Sequence, residues 1–450
     1  MLNAPTTIVA VSTAAGNGGI GVVRLSGPRS LEISQAICSA KITPRHAGLH
    51  NFIHPNHNII DQGIALYFPK PNSFTGEDVV ELQAHGSPIV LKQLVAACVE
   101  RGAIIAEPGE FTKRAYLNNK MDLMQAEAVI DLINASTEAA AKSAIHSLSG
   151  KFSFKINDLL NQLVELRMYV EACLDFPEED IDFITQGNVK EKLNKLTITM
   201  HSIIESAHQG KLLREGIDVV LVGQPNVGKS SLLNQLSGED RAIVTEIAGT
   251  TRDSISTHMS FHGVPVNIVD TAGLRDTDDQ VEKMGIKKTW QSLETAHIAL
   301  FLVEAGQGIT QYEKTILERL PPDISKIWVF NKIDLLKISP SCVSSPEGAH
   351  IYLSAKTGEG VELLINQIVA NTSSPSSIDD NQNIFMARDR HLVALTQVKD
   401  ALTNATLHIE AAEIVAEELT RAQLSLSSIT GEFSPDDLLG EIFSQFCIGK

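Results

Sequence analysis

The stretch Val219–Leu232, VVLVGQPNVGKSSL, limits what this chain can fold into more than any other. Val219, Val220, Leu221 and Val222 form a short apolar run rich in β-branched residues, the pattern of a buried strand. Gly223 to Ser230 reads G-x-x-x-x-G-K-S, and Ser231, Leu232, Leu233 and Leu236 continue at helical spacing. Strand, glycine loop and helix in that order make the loop a phosphate cradle. The residue types follow from the chemistry. Gly223 and Gly228 let the backbone turn so that successive N–H groups face one anion, and the following helix adds its N-terminal partial charge. Lys229 is placed to reach the β- and γ-phosphates, and Ser230 to give a hydroxyl to magnesium.

Four further elements follow in order. Gly249-Thr-Thr-Arg-Asp253 supplies Thr251, whose hydroxyl can complete a magnesium shell. Asp270-Thr-Ala-Gly273 follows the apolar pair Ile268-Val269; Asp270 can hold magnesium through water and Gly273 can offer an N–H to the γ-phosphate. Asn331-Lys-Ile-Asp334 follows the strand predicted over 327–330, and Ser354-Ala-Lys356 the one over 351–353. Each lies at the C-terminal end of a predicted strand, where open parallel sheets bind ligands. The set selects guanine. The Asp334 carboxylate can accept from N1–H and N2–H₂ together, while Asn331 and the Ala355 N–H serve the acceptor edge. Adenine would leave buried polar groups unpaired, and such a site rejects it by up to ~10⁴-fold. The water-orienting glutamine that follows the D-x-x-G glycine in Ras-like GTPases is replaced by Leu274. Arg252 and Arg275 are candidates for the missing charge, although exposed switch arginines are commonly solvated. From the residues alone Glu282 reads as a solvated switch acid.

The length of 450 residues suggests about three domains. Residues 1–118 read as mixed α/β, with strands over 7–11 and 20–25. Between them Gly16-Asn-Gly-Gly-Ile-Gly21 matches the dinucleotide fingerprint, but a strand and not a helix follows it, so a hairpin loop is expected. A strand over 79–83 and a helix over 89–101 follow, and Thr112 is a candidate cap for the next helix. Residues 119–210 are helical, with Ala128, Val129, Leu132 and Ile133 recurring near a 3.6 period. Residues 216–372 form the nucleotide module. After a Ser/Pro/Asp-rich linker, residues 380–450 are again helical, so the module interrupts one helical domain. The expected fold class is therefore multidomain α/β and all-α: an N-terminal α/β domain, a discontinuous helical domain and an inserted Ras-like P-loop domain. Ser434-Pro435-Asp436 signals a last helix whose apolar face is Leu438, Leu439, Ile442, Phe443 and Phe446.

A net charge of −17 argues against an extensive basic surface for nucleic acid. No signal peptide is recognised, no apolar run approaches the ~20 residues that span a bilayer, and five scattered cysteines form no Cys-x-x-Cys pair. A reducing, cytoplasmic setting is expected.

Taken together, GNGGIGVVRLSGP, SFTGEDVVELQAHG, EPGEFTKRAYLNNKMDLMQAEAV, the nucleotide elements with GTTRD, and the terminal CIGK resemble the MnmE (TrmE) family of tRNA-modifying GTPases over essentially the whole chain. The resemblance implies hydrolysis of GTP to GDP and phosphate. It implies a constitutive homodimer through the N-terminal domain and a flavin-dependent partner protein of the MnmG (GidA) kind, through which tRNA is mainly held. With that partner the family installs aminomethyl or carboxymethylaminomethyl groups on C5 of the wobble uridine of certain tRNAs. It also implies 5-formyltetrahydrofolate or a related folate at Arg24, Glu81, Lys120 and Lys450; such charges suit an anionic folate tail and a pterin edge.

By the same resemblance GTP is held by Asn226, Val227, Gly228, Lys229, Ser230 and Ser231, by Thr245, Glu246, Ile247, Ala248, Gly249, Thr250 and Thr251, by Asp270, Thr271, Ala272 and Gly273, and by Asn331, Lys332, Asp334, Ser354, Ala355 and Lys356. Magnesium falls to Ser230 and Thr251. Potassium falls to Asn226, Thr245, Ile247 and Thr250, where a cation replaces an arginine finger as G domains dimerise. Glu282 takes the water-activating position and, with Lys229, the catalytic role. Ala84 and Asn17 depart from the family pattern near the folate pocket. Cys447, between Phe446 and Ile448, is read as a buried, inert thiol at least as readily as a reactive one. Two other functions fit the nucleotide elements: a GTPase switch in ribosome assembly or signalling, and a folate-binding scaffold whose GTP module is a timer.

Overall fold

The computed structural model describes residues 6–175, 187–238, 256–270, 293–294, 296–321, 324–346, 348–371, 384–431 and 436–449. Contacts divide the chain into two units, Met1–Ile130 with Ile156–Val164 and Thr420–Lys450, and Asp131–Lys155 with Glu165–Leu419.

Strands β1 (Ile8–Val11), β2 (Gly18–Ser26), β3 (Gly48–Ile53), β4 (Ile59–Phe68), β5 (Val79–Gly86) and β6 (Ile104–Ile105) build the sheet of the first unit, in the order β3-β4-β5-β2-β1-β6. Neighbours are antiparallel apart from β1 and β6. Alternation along the strands gives the sheet two faces. Val9, Val23, Leu25 and Leu82 pack on α1 (Ser30–Cys38) and α2 (Pro88–Glu100) through Ile33, Ile37, Leu91 and Leu94. Ala10, Arg24 and Glu81 are paired across β1, β2 and β5 on the other face. There Ile8 and Ala10 meet Phe111 of α3 (Glu110–Leu117). The glycine-rich loop does join two antiparallel strands, and a strand rather than a helix follows it. Thr112 is not a cap: Gly109, at φ 67°, starts α3, and Thr112 lies buried inside its first turn. The turn Glu107–Gly109 is tight enough to need that left-handed glycine.

The chain's end completes this unit. In α14 (Asp436–Ser444) and just beyond it, Leu439, Ile442, Phe443 and Phe446 are buried with Leu123, Ala126 and Ile130 of α4 (Leu123–Ile133). Gly109 N–H then donates to the Cys447 carbonyl, Ile448 bridges Pro108, and the Ser12 hydroxyl donates to the Gly449 carbonyl. Cys447 is exposed, which removes the buried one of its two readings; the chain has left the helix by then, and its apolar anchor is Phe446. The face of α4 also differs from the expected one. Ile133 is 45% exposed, while Glu127 and Asp131 are buried, because Asp131 has charged partners that make its burial tolerable.

The second unit holds a seven-stranded sheet of order β12-β13-β11-β10-β7-β9-β8. Its strands are β7 (Ile217–Val222), β8 (Ser256–Phe261), β9 (Val264–Asp270), β10 (Ile298–Glu304), β11 (Ser325–Asn331), β12 (Ser341–Ser345) and β13 (Gly348–Tyr352). The central pairs are parallel and each edge closes with an antiparallel strand. Both faces are covered, so strands such as β10 are apolar up to their last residue: Ile298, Leu300 and Leu302 join one core, and Ala299, Phe301 and Val303 the other.

The helices of this unit include α5 (Glu138–Leu148), α7 (Val189–Glu215), which leads into β7, the short α10 (Ile333–Leu336), α11 (Val361–Ala370), and α12 (Asp389–Leu407), which packs along α7. The long α6 (Lys151–Asp175) and α13 (Ala412–Thr430) belong in part to each unit. Between the sheet and α12 the segment Ile384–Arg388 is buried residue by residue. Ile384 and Met386 enter the core of β7 and β9, and Phe385 stacks on Phe152 with centroids 3.9 Å apart. Met386 N–H donates to Ser147 Oγ at 2.9 Å. Gly210 of α7 lies so close that a Cβ there would sit 1.8 Å from the Phe385 carbonyl oxygen. Asp131 accepts from Arg214 at the end of α7 (3.2 Å) and from Arg388 (2.9 Å), one on each flank of the sheet-bearing segment. No described helix is long and apolar enough to cross a membrane.

Candidate functional site

The loop between β7 and α8 (Lys229–Leu236) has the shape its glycines require. Asn226 (φ 67°) and Gly228 (φ 105°) are both left-handed, a conformation that asparagine tolerates and glycine adopts freely. A Cβ at Gly228 would stand 2.3 Å from Asn331 Nδ2, and one at Gly223 would stand 2.6 Å from the Leu302 carbonyl oxygen. The first turn of α8 has no side-chain cap, so its N–H groups point into the loop as an anion site. Lys229 Nζ donates to the Gly223 carbonyl at 2.7 Å. Ser230, Ser231 and Asn226 are not buried, and Val227 is buried in the core.

The segments expected to read the base lie at the same strand ends. Asn331 ends β11, opposite Glu304 at the end of β10, and Asp270 ends β9, opposite Leu221 of β7. Asn331 is 3% exposed; its Nδ2 donates to the Val227 carbonyl at 2.7 Å and its Oδ1 accepts from Ala355 N–H at 2.8 Å. One residue thus ties the base elements to the phosphate loop. An amide nitrogen has two hydrogens, so the second can still meet a base. The Ala355 N–H, expected on the guanine acceptor edge, here bonds Asn331, and a guanine O6 would share that donor. Ser354 Oγ donates to Asp334 Oδ1 at 2.8 Å, fixing the carboxylate expected to meet guanine N1 and N2. Lys332 is left-handed at φ 67° and its Nζ pairs with Glu304 at 2.8 Å; Lys356 is exposed.

Sequence reasoning missed Glu304 and a second tie, from Gln224 Nε2 to Thr310 Oγ1 at 2.8 Å. The motif T-x-x-E at Thr310–Glu313 was a legible capping-box signal. Residues 245–251, Arg252, 271–273, Leu274, Arg275 and Glu282, and the side chain of Asp270, lie outside the described residues, as does Lys450.

In the first unit Arg24 and Glu81 face each other across β2 and β5. Arg24 Nε and Nη2 both donate to Glu81 Oε1, at 3.0 and 2.8 Å. The guanidinium lies 5.6 Å from the Phe74 ring centroid and 5.8 Å from that of Phe111. Lys120 Nζ donates to the Pro71 carbonyl at 3.2 Å and Asn118 to that of Thr75 at 2.8 Å, so the segment 71–75 gathers Arg24 and Lys120 around one loop.

Residues 7–120 match the family model of the GTP-binding protein TrmE N-terminus, and residues 123–447 match that of the MnmE helical domain. This chain belongs to the MnmE family. Family members named tRNA modification GTPase MnmE include that of Chromobacterium violaceum, 53% identical over 447 residues, and that of Dechloromonas aromatica, 50% identical over 448; each alignment covers 99% of both chains. Among solved structures, a point variant of Aquifex aeolicus Era bound to GDP.AlF4- is 26% identical to this MnmE-family chain, with a TM-score of 0.28, over 41% of this chain and 66% of that one.

Proposed function

We infer that this MnmE-family chain is a GTP-hydrolysing enzyme of tRNA modification. The observation that carries the nucleotide part is Asn331, whose carboxamide joins the phosphate loop at Val227 to the base loop at Ala355. A guanine nucleotide spans those two loops. Lys229 neutralises the β- and γ-phosphates, the N–H groups of the loop and of α8 cradle them, and Asp334, oriented by Ser354, reads the purine.

Magnesium is held by Ser230 and Thr251; the accessible hydroxyl of Ser230 at the helix start fits this use. Potassium is held by Asn226 with Thr245, Ile247 and Thr250, and supplies positive charge where Leu274 replaces the usual glutamine. The left-handed backbone at Asn226 turns an exposed side chain outward, which suits a ligand to an exchangeable cation. Glu282 activates the attacking water. A folate is held by Arg24, Glu81, Lys120 and Lys450 and supplies a one-carbon unit. Both Arg24 bonds fall on Glu81 Oε1, so Oε2 is positioned for the donor edge of a pterin. The enzyme is a cytoplasmic homodimer that acts with a flavin-dependent partner on C5 of the tRNA wobble uridine.

Two measurements test this. Purified protein should hydrolyse GTP and leave ATP untouched; equal use of both would overturn the guanine assignment. Nucleoside mass spectrometry of tRNA from a deletion strain should show loss of the modified wobble uridine, and an unchanged profile would remove the tRNA part of the reading.

A further inference from the structure

The segment from β10 to α9 (Gln311–Leu317) touches the nucleotide cradle at both ends. At its start Ala305 N–H donates to the Asn331 carbonyl at 2.9 Å, beside the Glu304–Lys332 pair. At its end Thr310, the N-cap of α9, meets Gln224, the second residue of the phosphate loop. The Thr310 hydroxyl donates to the Glu313 carboxylate, and that carboxylate accepts in turn from Thr310 N–H at 2.9 Å. The hydroxyl also accepts from Tyr312 N–H at 3.3 Å and from the Gln224 amide at 2.8 Å. A hydroxyl has one proton and two lone pairs. All three are used here, the proton on a carboxylate that is 1% exposed. Only a donor can therefore stand at position 224, and only in one orientation.

We propose that Gln224 is a positioning residue of the phosphate loop. Its carboxamide, locked by the saturated Thr310–Glu313 network, holds the Gly223–Gln224 peptide, whose carbonyl at Gly223 is the rest for the Lys229 ammonium. The placement of the phosphate-binding charge is thus set from outside the loop, by the N-terminus of α9. The inference rests on the GTPase reading above. The tie lies outside the reacting atoms, so its loss is expected to remove binding that is uniform between ground and transition states, raising KM with kcat nearly constant.

The test is steady-state GTP hydrolysis by the full chain, with the wild type as reference. Gln224→Ala should raise KM by about three- to tenfold, the net worth of one neutral hydrogen bond, with kcat within about twofold. Gln224→Glu should raise it at least as much, since a carboxylate has no proton to give and would face Glu313. Thr310→Val should do the same and Thr310→Ser should restore KM, which separates the tie from a general loss of folding. The double variant Gln224→Ala/Thr310→Val should be no worse than Thr310→Val alone. Single effects that multiply in the double variant, or an unchanged KM in both Gln224 variants, would overturn the proposal; so would a fall in kcat and melting temperature with KM constant. A wild-type chain that does not hydrolyse GTP defeats the enzyme reading instead, whereas normal turnover with indifferent Gln224 variants defeats the positioning role alone.

Discussion

Replacing Asp131 with alanine tests the tie at the two flanks of the nucleotide segment. The Asp131 side chain is 6% exposed and its partners Arg388 and Arg214 are 10% and 27% exposed. Removing one member of a buried pair costs about 3–5 kcal/mol, because the charge left behind cannot return to water. That figure belongs to Arg388; the better-solvated Arg214 adds at most ~1 kcal/mol. For a unit of this size each kcal/mol moves the melting temperature by roughly 2–4 °C, so a fall on the order of 10 °C is expected by calorimetry of the full chain. Asp131→Asn keeps an acceptor and loses the charge, and should cost about half as much. Replacing Asp131 and Arg388 together by leucine should cost less than Asp131→Ala, since both members of the more buried pair leave together. KM for GTP, measured well below the transition, should not change, because Arg214 and Arg388 bracket the nucleotide segment and neither belongs to the phosphate loop. A melting shift below about 2–4 °C, or a double leucine variant as weak as Asp131→Ala, would refute the reasoning.

Gly228→Ala should weaken GTP binding at least ~10-fold, since its methyl would displace the Asn331 amide and cost buried hydrogen bonds; near-normal affinity in a fluorescent-nucleotide titration would contradict this. Asp334→Asn should shift preference toward xanthine nucleotides, and an unshifted competition assay would place Asp334 away from the base. GTP turnover should rise more with potassium than with sodium, and equal rates would remove Asn226 from cation binding. Burial pushes the thiols of Cys38 and Cys98 up to about 12. At pH 8 only ~10⁻⁴ of each is thiolate, so iodoacetamide should label exposed Cys342 and Cys447 first, as read by peptide mass spectrometry. These raised values favour the folded state below pH ~9, and the contribution fades as pH rises from there through 12. Rapid labelling of Cys98 in the native chain would show that its burial is wrong.

Much of this was legible in the sequence because local chemistry dictated it. Gly223 to Ser230 could be read as a loop between strand and helix, since only glycine and asparagine suit the left-handed turns there. The apolar runs at Val219 and Ile327 read as strands because both faces are covered. The mixed α/β, helical and P-loop fold class expected from these patterns is the one found. What escaped was non-local. Gln224 looks like filler in a motif until Thr310 is brought beside it. Asp131 is an ordinary helix acid until Arg214 and Arg388 converge on it. Thr112 misled because threonine is a good cap in general, whereas the preceding Pro-Gly turn had already started the helix. Arg24 and Glu81 were singled out by family resemblance, and their cross-strand register explains why they pair.

The docking of the last helix has a consequence for synthesis. Leu123 and Ala126 leave the ribosome roughly 310–320 residues ahead of the residues that bury them, Leu439 to Phe446. At ~5–20 residues per second the wait is roughly 15–60 s. During it an apolar strip on the nascent chain has no native cover, and the first unit closes only once Phe446 has been made. A chain truncated before Asp436 would carry that strip permanently, a ready target for chaperones and proteases.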